Sequence, residues 1–428
     1  MLRKQDNKMK IRYIKAIILF FSVSCFLACG SKPRFASEGT PSDPPSLYLT
    51  WRKDPSSTMT IQWITPKNNK NDTVYYRRLK GSKIKKSIGK SHPFPHAAYS
   101  IHVNEITHLK EDTEYLFGFD KKSLHFKFRT MPSNNKRPIK FIIGGDTYHK
   151  REMLRLANKQ AAKQDPMFVV IGGDFAYSSS KFVSKREEGT QRWLNWLEEW
   201  KQHMVAPDGR LIPLLPAIGN HEVIGAHNQT PKEAEEFYSL FSIMPGEQGY
   251  NVLDFGDYMS LFLLDSGHTH PIEGEQKRWL EESLSSRRHV PHRFVVYHVP
   301  AYPSVRPFDH KTSKKIRKHW SPIFDAYRIS AAFEHHEHNY KRSRLILGGE
   351  IHPKGTLYLG DGGWGSEVKT TRVGSRWYRE KPDLRWYLEK TIAANNFFLV
   401  EIHRKNRRFV GIHSRKGEIL DEYFSSEK

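Results

Sequence analysis

The chain has 428 residues, length for about two to three domains, and its 38% hydrophobic, 13% aromatic and 27% charged residues can bury a core. Disorder along the whole chain is therefore excluded. A formal charge of +23 favours anionic partners, while only two cysteines, Cys25 and Cys29, exclude a disulfide scaffold and any cysteine-ligated zinc module or catalytic thiol beyond the first thirty residues.

Arg3, Lys4, Lys8, Lys10, Arg12 and Lys15 precede an apolar run from Ala16 to Ala28. The run falls short of the roughly 18 to 20 residues that span a bilayer, so it predicts a signal peptide over residues 1–28 rather than an anchor helix. Its end, Phe26-Leu-Ala-Cys29-Gly30, resembles a bacterial lipobox with Phe26 where leucine is usual. Cys29 is then the expected lipid attachment, with plain secretion as the alternative. Residues 29–45, rich in Ser, Pro, Gly and Thr, read as a tether. The expected location is outside the cytoplasm, on a lipid anchor in the periplasm or on a bacterial cell surface.

Residues 46–133 show short runs of period-two alternation: 47–51, 59–64, 73–76, 115–119 and 125–129. With turn residues such as Asp54-Pro55 between them, they predict a small β-sandwich. The stretch Arg77 to Lys90 holds seven cations and no acid. It reads as a solvated hairpin face, or as a contact for membrane phosphate or another anion.

From Pro138 the texture changes to buried strands, at 139–143, 167–171, 211–215, 259–264, 293–297 and 329–333. Segments of helical spacing separate them, at 151–164, 191–203, 232–241 and 275–286. This is an α/β layered pattern, expected over residues 138–350. Strands at 357–359, 396–402, 408–412 and 419–423 then complete the unit within residues 351–428.

Five polar clusters end those core strands: Gly145-Asp146, Gly173-Asp174-Phe-Ala-Tyr177, Gly219-Asn220-His221-Glu222, His298 and His335-His336-Glu337-His338. Open α/β sheets place ligands at such ends. Carboxylate, amide and imidazole groups converging on one sheet edge suit two divalent or trivalent metal ions, and a carboxylate can bridge both. Glycine before each acid is expected to supply the sharp turn. Singly each cluster is commonplace; their order is not.

In these blocks, and in Thr60-Ile-Gln-Trp63, Phe126-Lys-Phe-Arg129 and Gly360-Asp-Gly-Gly363, the sequence resembles the purple acid phosphatases within the calcineurin-like metallophosphoesterases. The resemblance runs from about Ser46 to Tyr423. It implies a fibronectin-III-like all-β domain followed by a four-layer metallophosphoesterase β-sandwich flanked by helices. Carried over residue by residue, it implies Fe(III) on Asp146, Asp174, Tyr177 and His338. A divalent Fe, Zn or Mn would sit on Asp174, Asn220, His298 and His336. The implied reaction is hydrolysis of a small anionic phosphomonoester by hydroxide activated between the metals, with His221 touching the phosphate or the nucleophile.

Two departures stand out. His335 occupies the position of the family's glycine before the histidine pair, although Tyr340-Lys-Arg342 follows as usual; conversely Gly267-His-Thr-His270 spells the literal motif but precedes His298. His268 and His270 are therefore expected to be a structural loop pair. The family also places histidines nine or ten residues after the equivalent of His298. Pro307 and Phe308 stand there, which leaves His310 as the candidate to protonate the leaving alkoxide. A phosphodiesterase or nucleotide hydrolase on the same ligands, and a surface-binding lipoprotein whose metal site His335 disables, are the competing readings. No groove-reading motif points to nucleic acid.

Overall fold

The computed structural model of the protein describes residues 32–37, 39–179, 183–241, 248–360, 362–370 and 385–427. The leader with Cys25 and Cys29, the first residues of the tether, and Asp361 lie outside them. Among the described residues no helix is long and apolar enough to cross a membrane.

Alternation builds the first part. Its strands are β1 (Ser46–Thr50), β2 (Met59–Pro66), β3 (Thr73–Arg78), β4 (Lys85–Ile88), β5 (Lys90–Pro93), β6 (Tyr99–Ile106), β7 (Glu114–Gly118) and β8 (Phe126–Arg129). They form two four-stranded antiparallel sheets, ordered β1-β2-β6-β5 and β4-β3-β7-β8. Trp63 of one sheet packs on Phe119 at the end of β7, ring centroids 4.7 Å apart. Strands β4, β5 and β6 were not expected from the sequence. The first two are short, polar and largely exposed edge strands with no buried face to impose a period. The sandwich is fastened to the second part of the chain by Trp51, edge-on to Phe168 and Phe255, and by Tyr48, whose hydroxyl donates to the Leu240 carbonyl at 2.6 Å.

The second part opens with β9 (Ile139–Gly144), α1 (Arg151–Lys163), β10 (Val169–Gly172), α2 (Arg186–His203), β11 (Leu214–Ala217) and α3 (Glu235–Leu240). Next come β12 (Asn251–Phe255), β13 (Met259–Leu263), α4 (Glu275–Ser285), β14 (His292–Val296), α5 (Lys311–His319), α6 (Ser321–Ala326) and β15 (Ala331–Glu334). After these lie β16 (Tyr340–Ser343), the small hairpin β17 (Ile346–Leu347) and β18 (Glu350–Ile351), β19 (Tyr358–Gly360) and β20 (Leu388–Ile392). The chain closes on β21 (Asn396–His403), β22 (Asn406–His413) and β23 (Ile419–Ser426).

These strands make two large sheets, β11-β10-β9-β21-β22-β23 and β12-β13-β14-β15-β19-β16-β20. Phe141 and Phe409 of the first meet Phe294 and Phe333 of the second, so their inner faces form a sandwich core. Helices α1 and α2 carry buried Leu154, Trp196 and Trp200, and Trp364 links Asn158 of α1 to Phe397 of β21. On the other side, Leu280 and Leu284 of α4, Ile316 of α5 and Phe324 of α6 join the cluster of Phe262, Val295 and Tyr297. The result is the four-layer helix-sheet-sheet-helix arrangement.

Two expectations need correction, and one helix was missed. The five clusters do not share one sheet: β9, β10 and β11 belong to the first and β14 and β15 to the second. The helix expected at 232–241 is a 3-10 turn, Pro231–Ala234, followed by α3, with Ala234 leaving helical geometry at ψ 34°. Helix α5 was invisible because Lys311–His319 contains one large apolar residue, Ile316.

Asp421 on β23 joins the two sheets. It accepts from Tyr340 Oη at 2.7 Å and Arg342 Nε at 2.6 Å, both on β16, and from Lys390 Nζ of β20 at 2.9 Å. Burial alone would push its carboxyl up, but these hydrogen bonds outweigh it and hold the group at about 2. A depressed folded pKa gives stability that is fully present above the unfolded value near 3.9 and lost as pH falls through about 2. Asp421→Asn is therefore expected to cost about 1 kcal/mol in urea unfolding at pH 7. The difference from the parent should shrink steadily below pH 4; a constant difference across that range would contradict the assignment.

Candidate metal centre

Each of the five strands ends at the same rim of the sandwich, and the residues just beyond them turn inward. Asp146, Asp174, Tyr177, His336 and His338 all have positive φ, between 52° and 73°. These left-handed turns are costly for residues with a Cβ and persist where the surrounding structure over-determines them. The turn was expected at the preceding glycines. Gly173 does carry φ 96°, but Gly145 does not, and Asp146 itself makes the turn. The glycines serve close packing instead: a Cβ on Gly145 would lie 2.8 Å from the His335 ring, and one on Gly172 would fall inside it. His335 is buried against these two residues, which accommodate the bulk that replaces the family glycine.

The seven candidate ligands gather in two groups. In the first, Tyr177 Oη lies 3.4 Å from Asp146 Oδ1 and 3.3 Å from His338 Nε2, and His338 Nε2 lies 2.9 Å from Asp146 Oδ1. In the second, His298 Nε2 is 3.1 Å from each of Asp174 Oδ2, Asn220 Oδ1 and His336 Nδ1. Asp146, Asp174, His298 and His336 offer ligand atoms all within 4.8 Å of one another, and all four side chains are buried.

Backbone contacts orient the rings. His298 Nδ1 faces the Gly172 carbonyl and His338 Nδ1 the Glu367 carbonyl, both at 2.9 Å, which leaves each Nε2 turned to the carboxylates. Burial pushes both aspartates up. His338 and His298 around Asp146, and His298 and His221 around Asp174, outweigh it and hold both carboxyls below the ordinary range. Burial likewise depresses His298, but Asp174 and Asp146 overcome it and raise the imidazole to about 9. A pocket that keeps a fully buried imidazole protonated has an unmet demand for positive charge. Asp174 Oδ2 stands 3.1 Å from His298 Nε2 and receives no other donor. Buried carboxylates together with neutral oxygen and nitrogen donors fit metal cations.

Several neighbours escaped the sequence reading. Glu222 accepts from the amides of Asp174 and Phe175, both at 2.8 Å, and of Gly219 at 3.0 Å, clamping two ligand loops together. Burial, with the Asp174 charge next, pushes its carboxyl up to about 8. Its place in the Gly219–Glu222 block was the available signal. Ser366 donates to the Asp146 carbonyl at 2.6 Å and lies 2.8 Å from Tyr177 Oη. His149 is edge-on to Tyr177 and His338.

His221 stacks on Tyr177, ring centroids 4.3 Å apart, and its amide donates to Asp174 Oδ1 at 2.8 Å. Its Nε2 stands 3.8 Å from Asp174 Oδ2. His310 precedes α5; burial, with the Arg306 charge next, lowers its imidazole, against Glu337 and Asp309. His268 is buried beside His298, centroids 5.6 Å apart, and bonds Ser266 and the Ala226 carbonyl, whereas His270 turns to Asp265.

A two-sheet α/β sandwich with carboxylates and histidines gathered at its rim defines a metallophosphoesterase. The sequence matches the descriptions Purple acid Phosphatase, N-terminal domain, over residues 44–130, and Calcineurin-like phosphoesterase, over residues 139–340. The chain belongs to the purple acid phosphatase family of calcineurin-like phosphoesterases. It is 24% identical over 349 residues to purple acid phosphatase 18 of Arabidopsis thaliana, covering 74% of each chain. Against Fe(3+)-Zn(2+) purple acid phosphatase 12 of the same plant it is 24% identical, covering 72% of this chain and 66% of that one. Its fold matches that of purple acid phosphatase PPD1 from yellow lupin (Lupinus luteus) seeds with a TM-score of 0.67 at 15% identity, covering 89% of this chain and 74% of that structure. The family's chemistry is phosphoester hydrolysis.

Proposed function

We propose that the protein is a binuclear-metal acid phosphatase that hydrolyses phosphomonoesters. The observation that carries this reading is the sorting of seven buried or nearly buried donors into two adjacent groups, with Asp174 reaching toward both. Asp146, Asp174, Tyr177 and His338 would hold Fe(III), and Asp174, Asn220, His298 and His336 a divalent Fe, Zn or Mn; a relative named for Fe(3+) and Zn(2+) supports that choice. Two cations held there would neutralise the phosphoryl oxygens and lower the pKa of water.

The chain's own groups do the rest. His221, with its side chain 23% exposed and its amide tied to Asp174, presents an imidazole to an incoming phosphate. Glu222 keeps the loops carrying Asp174 and Asn220 in register. Hydrolysis breaks the bond between phosphorus and the ester oxygen, puts the oxygen of water on phosphorus and leaves one of its protons on the alcohol.

The test is metal analysis together with phosphate release from an aryl monoester and an aryl diester on one preparation. Two metals per chain and faster monoester turnover are expected; neither metal nor turnover would overturn the reading, and faster diester turnover would reassign it as a phosphodiesterase. Tyr177→Phe is expected to abolish the visible tyrosinate-to-iron band while the protein stays folded. A band that survives would put the iron elsewhere.

The leader residues support a further part of the proposal, export and lipid anchoring through Cys29. Intact mass of the mature protein from a membrane fraction checks it, since a free N-terminus at another residue would contradict the anchor.

A further inference from the structure

Part of the expected tether is fastened to the fold. The Arg34 amide donates to Gln191 Oε1 of α2 at 2.8 Å, and Gln191 Nε2 donates back to the Arg34 carbonyl at 2.5 Å. The Ser37 amide donates to Glu198 Oε1 at 3.0 Å, and the Phe35 ring stands edge-on to Tyr99 at the start of β6, centroids 5.4 Å apart. Asp43 pairs with Lys201 in the last turn of α2. The segment is thus a strap laid along α2 from its second turn to its last, and it touches both parts of the fold on the way. Buried Glu198 also holds Arg151 at 2.8 Å, so the strap closes over a carboxylate that is already fixed.

The outer end of the strap lies beside the metal rim. Arg192, next to Gln191 on α2, donates to the Ala176 and Tyr148 carbonyls, both at 2.6 Å. Ala176 precedes the candidate ligand Tyr177, and Tyr148 lies two residues beyond Asp146. The tip of the basic hairpin is at the other end of the molecule. There Arg78 and Lys80 share a cleft with Lys110 and Asp112, which line another with Ile139, where β9 starts, and Asp165, beyond α1. Cys29 stands five residues before Arg34, about 17 Å of chain at full extension. A tether free as far as Ser46 would give it about 60 Å and leave the orientation open.

We infer that a lipid bilayer meets this protein around the first two turns of α2, beside the metal rim, and not at the basic hairpin. Chain length, rather than charge, sets the contact. This inference rests on the proposed lipid anchor at Cys29.

With the leader removed, Cys29 is the one native cysteine left, so an introduced cysteine can carry a fluorophore alone. Lys185→Cys, just before α2, and Lys136→Cys, just before β9, are labelled on the full-length lipidated protein in phosphatidylcholine vesicles. Energy transfer to a headgroup-labelled lipid should be severalfold greater from position 185 than from position 136. Ten Gly and Ser residues inserted after Gly30 should bring the two close to equality. Equal transfer without the insertion, or a difference that survives it, would overturn the inference. Gln191→Ala tests the strap by itself. Trypsin should cut after Arg34 and shed a protein beginning at Phe35 faster than from the parent, and equal rates would overturn the strap. A parent whose Arg34 resists trypsin but which never associates with vesicles would overturn the anchor, and the orientation with it, while the strap stands.

Discussion

Asp174→Asn should lower kcat/KM for a phosphomonoester on the order of a thousandfold and deplete the protein of metal, while the metal-free chain still folds. Asparagine is nearly isosteric and tolerates the left-handed backbone that Asp174 adopts at φ 57°. Its side-chain oxygen can keep the hydrogen bond from the His221 amide at 2.8 Å. What it removes is the negative charge, and with it the second oxygen, which stands 3.1 Å from His298 Nε2. Metal content by elemental analysis and unfolding by circular dichroism separate loss of the site from loss of the fold. Full metal occupancy with undiminished activity would rule out Asp174 as the shared ligand.

Gly172→Ala is the second large effect. The added methyl would occupy the space of the buried His335 ring, and neither neighbour is free to retreat, because Gly172 ends a central strand and its carbonyl orients His298. Overpacking of this kind costs about 1–3 kcal/mol. A displaced Gly172 carbonyl also misaligns His298, so activity should fall with stability. Adding His335→Gly should recover most of the stability, because it empties the volume that the methyl needs. A double variant no more stable than Gly172→Ala alone would refute the account, and the cycle of four proteins measures the coupling directly.

Much of this was legible because the ligands lie just past strands that are themselves easy to read. Ile139–Ile143 and Arg293–Tyr297 are buried runs, and the polar residue one to three steps beyond each is where the chain must leave the sheet. The division of those strands between two sheets was not legible, since a buried strand looks the same in either. The accommodation of His335 by Gly172 was hidden too, because the two residues are far apart in sequence and meet only in the fold. Ser366 sits on an irregular segment after β19 with no periodicity to announce it.

The placement of the cluster across the sandwich has a thermodynamic consequence. Asp146, Asp174 and Asn220 hang from the first sheet, and His298, His336 and His338 from the second. An ion bound by both sets fastens one half of the core to the other like a clasp. Such an ion would bind the folded chain and not the dispersed ligands of the unfolded one, so the free metal concentration would enter the folding equilibrium by mass action. Resistance to unfolding would then be a property of the medium as well as of the sequence.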